Sequence, residues 1–97
     1  MTEKERECLL NKMADNLPMF RARLNLSQEG FSNIIGVSRY TLLAIEKKQR
    51  KMTWNTFLSC LLILMENKET RDLLEVTGVY TEELSKYLNL SNNDKEI

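Results

Sequence analysis

The sequence predicts an all-α protein, a compact domain of five to six helices that includes a helix-turn-helix. One Pro and three Gly in 97 residues are too few for the many turns of a β-sandwich. Leu, Glu, Lys, Asn and Met are abundant, and most of these favour or tolerate helix. Apolar residues also recur at helical spacing, behind residues that commonly begin helices. At this length we expect a single domain.

The N-terminal segment begins with a helix signal and then meets a proline. Thr2, followed three residues later by Glu5, has the form of a capping box, which starts a helix at about Glu3. Apolar side chains continue at helical spacing until Pro18 interrupts the pattern. Pro18 fits best as an early position of a second helix, with Asn16 nearby as a possible cap. One kinked helix and two separate helices both remain open.

The centre of the chain predicts two short helices joined by a tight turn. Ser27 is a good N-cap for a helix whose apolar face includes Phe31. Gly36 follows where helices commonly end in a left-handed residue, and Ser38 caps the next helix. Two short helices joined in this way form a helix-turn-helix.

The C-terminal part predicts one long apolar helix and two short ones. Thr53 caps a helix that runs from Trp54 to about Asn67 and is apolar around most of its circumference. Short helices are expected over 71–76 and 82–88, the second capped by Thr81. The domain therefore divides into an N-terminal helical segment over 1–16, a helix-turn-helix core over 17–67, a C-terminal helical extension over 68–90 and a flexible tail over 91–97.

Charge is distributed unevenly, although the formal net charge is zero. The stretch 18–53 carries seven basic and two acidic residues, and the remainder reverses this balance. Such asymmetry is typical of a protein with one face that meets a polyanion. A solvated loop with a few lysines explains the charge pattern equally well.

Composition also excludes several classes of protein. The chain has no His and two Cys, so the usual zinc sites lack ligands and we expect no metal and no cofactor. No paired acids, glycine-rich phosphate loop or activated nucleophile meets the requirements of catalysis, so we expect no enzyme. The charged start and short apolar runs predict neither a signal peptide nor a membrane span, and the cysteines fit a cytoplasmic setting.

One stretch is specific enough to indicate a family. LNLSQEGFSNIIGVSRYTLLAIEKKQRKMTWNTFLSCLLIL resembles the helix-turn-helix of the XRE family, the DNA-binding domain shared by Cro and phage repressors. The resemblance covers roughly residues 17–65, about half of the chain, and implies a lambda-repressor-like fold. Its elements are Leu26-Ser27-Gln28, Gly36-Val37-Ser38, Ile45-Glu46 and the basic turn that follows.

The resemblance implies a sequence-specific regulator of transcription that binds double-stranded DNA. The helix at about 38–47 would be the recognition helix and enter the major groove. The residues implied at base edges are Ser38, Arg39, Tyr40 and Thr41. Gln28 would lie against a phosphate, and an ion pair between Arg21 and Glu46 would hold the fold together.

The residues themselves give a physical reason for these roles. Arg39 is exposed by the helical pattern, and no neighbouring residue requires it for packing. Arginine is also suited to bidentate hydrogen bonds with guanine. Tyr40 has a hydroxyl for a phosphate and a ring for a thymine methyl, although packing over its own helix is the alternative. Sequence-independent affinity for phosphates would come from the basic turn. Its cations are Lys47, Lys48, Arg50 and Lys51.

Leu43 and Ala44 depart from the family pattern, which usually has polar or basic residues facing DNA at these positions. Gln49 also replaces the glycine common in the following turn. An apolar patch on an exposed helix would instead suit a protein partner. The alternative function is therefore a protein-interaction module, antitoxin-like or a co-regulator, with weak or no DNA binding.

A two-fold dimer suits a domain with one recognition helix, because one helix reads only a few base pairs. Residues 69–90 hold more apolar side chains than a tail needs, so we expect a homodimer through this segment. The alternative is that these side chains only cover the domain's own core. They are Leu73, Leu74, Val76, Val79, Tyr80, Leu84, Tyr87 and Leu88.

Overall fold

The computed structural model describes residues 1–92, which form six α-helices and a final 3-10 turn with no strand in that range. The all-α prediction of five to six helices is thus confirmed. The helices are α1 (Glu3–Arg23), α2 (Gln28–Ile35), α3 (Arg39–Glu46), α4 (Trp54–Glu66), α5 (Lys68–Arg71) and α6 (Glu82–Leu88). The 3-10 turn is Leu90–Asn92. Most of the predicted tail, residues 93–97, lies outside the described residues.

Helix α1 is continuous, so the preferred assignment of Pro18 to the start of a second helix is wrong. The capping box is present as predicted, with Thr2 and Glu5 each bonding the other's backbone N–H. Asn16 is not a cap, because its side chain donates to the Lys12 carbonyl at 2.8 Å. Leu17 and Phe20, on either side of Pro18, are both fully buried. Burial of this shared face outweighs the cost of proline inside a helix, about 3 kcal/mol.

Helices α2 and α3 form the predicted helix-turn-helix. Ser27 caps α2 by accepting a hydrogen bond from the Gly30 N–H, and Ser38 caps α3 through the Thr41 N–H. Gly36 between them has φ 83°, in the left-handed region. The Val37 N–H bonds back to the Ser32 carbonyl and closes the turn. Capping and the glycine conformation together fix how α3 follows α2.

The segment after α4 differs from the predicted helix over 71–76. A single helical turn, α5, comes earlier, and separate turns occupy residues 72–78. Thr70 is buried, and its hydroxyl donates to the carbonyls of Leu64 and Asn67. These bonds draw α5 back against the end of α4. The predicted helix over 82–88 is confirmed as α6, capped by Thr81.

One hydrophobic core joins these helices. Aromatic side chains from three helices, Phe20, Phe31 and Phe57, are fully buried at its centre. Leu42 and Ile45 of α3 pack into the same core, as do Leu74, Val79 and Leu84 from the C-terminal part. The C-terminal extension is therefore an integral part of the domain's packing.

Among the helices of residues 1–92, none combines the length and apolar character needed to cross a bilayer.

Candidate nucleic-acid interface

An ion pair with a third polar partner links α1, α2 and α3. Arg21 donates from Nε and Nη2 to the two carboxylate oxygens of Glu46, at 2.8 and 2.9 Å. Gln28 donates from Nε2 to Glu46 Oε1 at 3.1 Å. The Glu46 side chain is only 6% exposed, so this bidentate contact is well shielded from water. The sequence resemblance implied the Arg21–Glu46 pair. It also implied that Gln28 contacts a phosphate, whereas Gln28 lies in the network around Glu46. The Gln28 amide nitrogen has a second hydrogen besides the one that it donates to Glu46.

Ser38, Thr41 and Arg50 lie together at the start of α3. The Ser38 hydroxyl donates to Thr41 Oγ1 at 2.9 Å while it accepts from the Thr41 N–H. Arg50, from the connection that follows α3, donates to the same Thr41 oxygen at 3.4 Å. The connection therefore returns one cation to the N-terminal end of α3, beside the residues predicted to contact bases.

Arg39 and Tyr40 project from the first turn of α3 into solvent. Tyr40 is 77% exposed, so it does not pack over its own helix. The Arg39 guanidinium carbon lies 5.8 Å from the Tyr40 ring centroid, within reach of a cation–π interaction. The two side chains form one exposed pair, which leaves the guanidinium edge and the phenol hydroxyl accessible.

Lys48 and Lys51, two of the four basic residues predicted to contact phosphates, are instead bonded to α1. Lys48 Nζ lies 3.0 Å from Asp15 Oδ1 and 3.3 Å from Asn11 Oδ1. Lys51 Nζ lies 2.6 Å from Glu7 Oε2. Lys47 is exposed and forms no ion pair with a residue of the described chain. The structure therefore divides the basic connection into two cations held by α1 and two that are not.

Leu43 and Ala44 are half-buried, contrary to the expected apolar patch on an exposed helix. The Ala44 carbonyl accepts the backbone N–H groups of both Gln49 and Arg50, so the connection folds back over this end of α3. Lys48 adopts the left-handed conformation, φ 63°, whereas Gln49, which replaces the family's glycine, does not.

Two groups of functional interest were not predicted from the sequence. Glu7, Asn11 and Asp15 lie four residues apart along α1, a spacing that indicates one helix face but not what that face contacts. The Arg6 guanidinium lies 4.5 Å from the Trp54 ring centroid and donates to the Tyr87 hydroxyl at 2.8 Å. Both groups contact residues more than 30 positions away in sequence, which helical periodicity does not reveal.

The predicted dimer segment over 69–90 is partly used within the chain. Leu74, Val79 and Leu84 are buried in the core, and Leu73 and Tyr80 are half-buried. Val76 is 78% exposed, and Tyr87 and Leu88 are also on the surface. The outer face of α4 adds Leu62 and Met65 to the exposed apolar residues.

The two cysteines lie in contrasting environments, and neither forms a disulfide. Cys8 is exposed on α1, whereas burial in the core raises the pKa of the Cys60 thiol to about 12. A thiol with so high a pKa is almost wholly protonated near neutral pH and is a poor nucleophile.

Comparison with known proteins yields no relative: the chain matches no protein-family model, no curated protein and no solved structure.

Proposed function

We propose that this protein is a sequence-specific DNA-binding regulator of transcription, of the XRE type that its helix-turn-helix resembles. In this proposal α3 enters the major groove, and Arg39 and Tyr40 contact base edges. The observation that carries the proposal is the exposed Arg39–Tyr40 pair on the first turn of a helix whose other face is fixed in the core. A rigid helix that presents an accessible guanidinium suits base readout, since arginine bonds guanine in a bidentate geometry.

The network around Glu46 supports this role, because it would hold α3 in place for docking. Arg21 and Gln28 bind Glu46 from α1 and α2, so α3 is tied to both neighbouring helices. Ser38 and Thr41 are bonded to each other, and we assign them mainly to shaping the start of α3. Arg50 and Lys47 are the cations best placed to approach phosphates.

The proposed regulator acts as a homodimer in the cytoplasm, without catalytic activity or a cofactor. Exposed apolar side chains at Val76 and Leu88, within the segment 69–90, support self-association, and Leu62 of α4 adds to them. Sedimentation equilibrium of the wild type and Val76→Glu tests this surface. A monomeric wild type would contradict the dimer while leaving DNA binding open.

The principal test is selection from random-sequence duplexes followed by fluorescence anisotropy. We expect the wild type to enrich a defined sequence and Arg39→Ala to lose about 1–3 kcal/mol of binding free energy on it, the value of one good bidentate base contact. Arg71→Ala is the matched control, because it removes an equal charge from an exposed position of α5. Equal losses in the two variants would contradict base readout by Arg39.

A protein-interaction module is the second candidate, and the pairing of Lys48 and Lys51 favours it. Those ion pairs reduce the positive charge that the connection presents to DNA. Failure of the random-sequence selection to enrich any duplex would support this function over the first. The half-buried positions of Leu43 and Ala44 weaken it, since they present less apolar surface to a partner than the sequence predicts.

A further inference from the structure

The connection between α3 and α4 lies against one edge of α1. We name this edge, formed by Glu7, Asn11 and Asp15, the α1 edge. Its three side chains follow one another at intervals of four residues and so share one helix face. Lys51 bonds the first, and Lys48 bonds the second and third.

The backbone holds both lysines at the α1 edge. Met52, directly after Lys51, is buried in the core, and the Gln49 and Arg50 N–H groups both bond to the Ala44 carbonyl. The connection is therefore fixed on both sides of Lys51, and Lys48 takes a left-handed conformation directly before the first fixed residue, Gln49. The lysine ammonium groups stay near α1 because their backbone positions are set.

The ion pairs change what the two lysines offer to a polyanion. A phosphate that takes Lys48 or Lys51 must displace a carboxylate and then face that carboxylate at close range. Both pairs are exposed, and exposed ion pairs contribute little to folding stability. Their larger consequence is therefore for binding, since each withholds one cation from counterion exchange.

We propose that the α1 edge is an autoinhibitory element that withholds Lys48 and Lys51 from polyanions and so weakens sequence-independent binding. The inference rests on the proposed function, which identifies the biological polyanion as duplex DNA. The effect is uniform across DNA sequences, because lysine–phosphate contacts carry no base information. Arg39, Lys47 and Arg50, none of which is paired with a carboxylate in the described chain, remain the cations that approach the duplex first.

The test compares Glu7→Gln/Asp15→Asn with a control double variant that has the same change in net charge. The control is Glu66→Gln/Glu75→Gln, whose carboxylates are exposed and paired with no lysine or arginine in residues 1–92. On a scrambled duplex we expect the α1-edge variant to bind about fivefold to tenfold tighter than the control at 0.1 M salt, with a salt slope steeper by up to about 1.8. Adding Lys48→Met/Lys51→Met should abolish the gain.

Two results would overturn the inference: an equal gain in the control, or a gain that persists when both lysines are replaced. Elution from a heparin column separates this failure from failure of the proposed function, because heparin is a polyanion without bases. If neither the wild type nor any variant binds a duplex, the proposed regulator function is refuted. Later elution of the α1-edge variant than the control, dependent on Lys48 and Lys51, would still support the autoinhibitory contact, and identical elution would refute it. Matching circular dichroism melts establish that every variant is folded.

Discussion

Glu46 holds the most connected polar position of α3. Its carboxylate accepts two bonds from Arg21 and one from Gln28 while it is shielded from water. Removal of one partner leaves a largely buried charge with too few hydrogen bonds, which is costly. The pair therefore matters for stability as well as for the position of α3.

We expect Arg21→Met to lower the free energy of unfolding by about 2–3 kcal/mol, less than for a fully buried pair because Arg21 retains some contact with water. Arg23→Met is the control: it lies on the same helix and is exposed. Urea unfolding monitored by circular dichroism measures both. Equal losses in the two variants would mean that the ion pair contributes nothing specific.

At the scale of single elements, local signals predicted most helix starts. Thr2, Ser27, Ser38, Thr53 and Thr81 all cap the helices that were expected to follow them. Each cap acts through a backbone N–H three residues away, so it is readable from sequence alone. Pro18 was misassigned because its local cost is offset by burial that involves other helices. The turns over 72–78 were missed because Thr70 bonds carbonyls at the end of α4.

Two glycines, Gly30 within α2 and Gly36 at its end, test how backbone conformation affects the free energy of unfolding. Gly36 has φ 83°, and a Cβ added there meets no atom within 4 Å, so the cost of alanine is conformational alone. We expect Gly36→Ala to lower the free energy of unfolding by about 1–2 kcal/mol.

Gly30→Ala is the matched control within α2. Alanine gains about 1 kcal/mol of helix propensity there, offset in part because its Cβ would lie 3.3 Å from the Ser27 cap oxygen. We therefore expect a net gain of about 0.5 kcal/mol in the same urea titration. A destabilisation by Gly30→Ala as large as that by Gly36→Ala would contradict the conformational explanation.

At the scale of the whole molecule, the C-terminal extension and the helix-turn-helix share one core. Leu84 of α6 is fully buried with residues from α1 and α4, whereas Leu88, one turn later, is exposed. The extension is thus expected to unfold together with the rest of the chain.

We expect Leu84→Ala to cost about 3 kcal/mol of unfolding free energy, as for other buried leucines, and to leave a single cooperative transition. Leu88→Ala should cost less than about 1 kcal/mol, since surface substitutions have small effects. Thermal unfolding followed by circular dichroism measures both. A separate early transition in Leu84→Ala would show that α6 is an independent appendage.

Much of the candidate site was also predictable from sequence, but its charge arrangement was not. Arg39 and Tyr40 were expected at the exposed start of α3, and their accessibility follows from helical periodicity. The pairing of Lys48 and Lys51 depends on how the connection crosses α1, which is a tertiary relation. Sequence patterns give the face on which Glu7 and Asp15 lie but not the partner that meets it.

Trp54 is the single tryptophan of the chain, and the cluster around it makes it an internal optical probe. Its indole stacks on Phe57 at 4.9 Å and meets Arg6 of α1 and Tyr87 of α6. Its fluorescence therefore reports on the junction of three helices from the beginning, middle and end of the described chain. Emission that shifts to longer wavelength before helical circular dichroism is lost would mark this junction as the first part of the molecule to open.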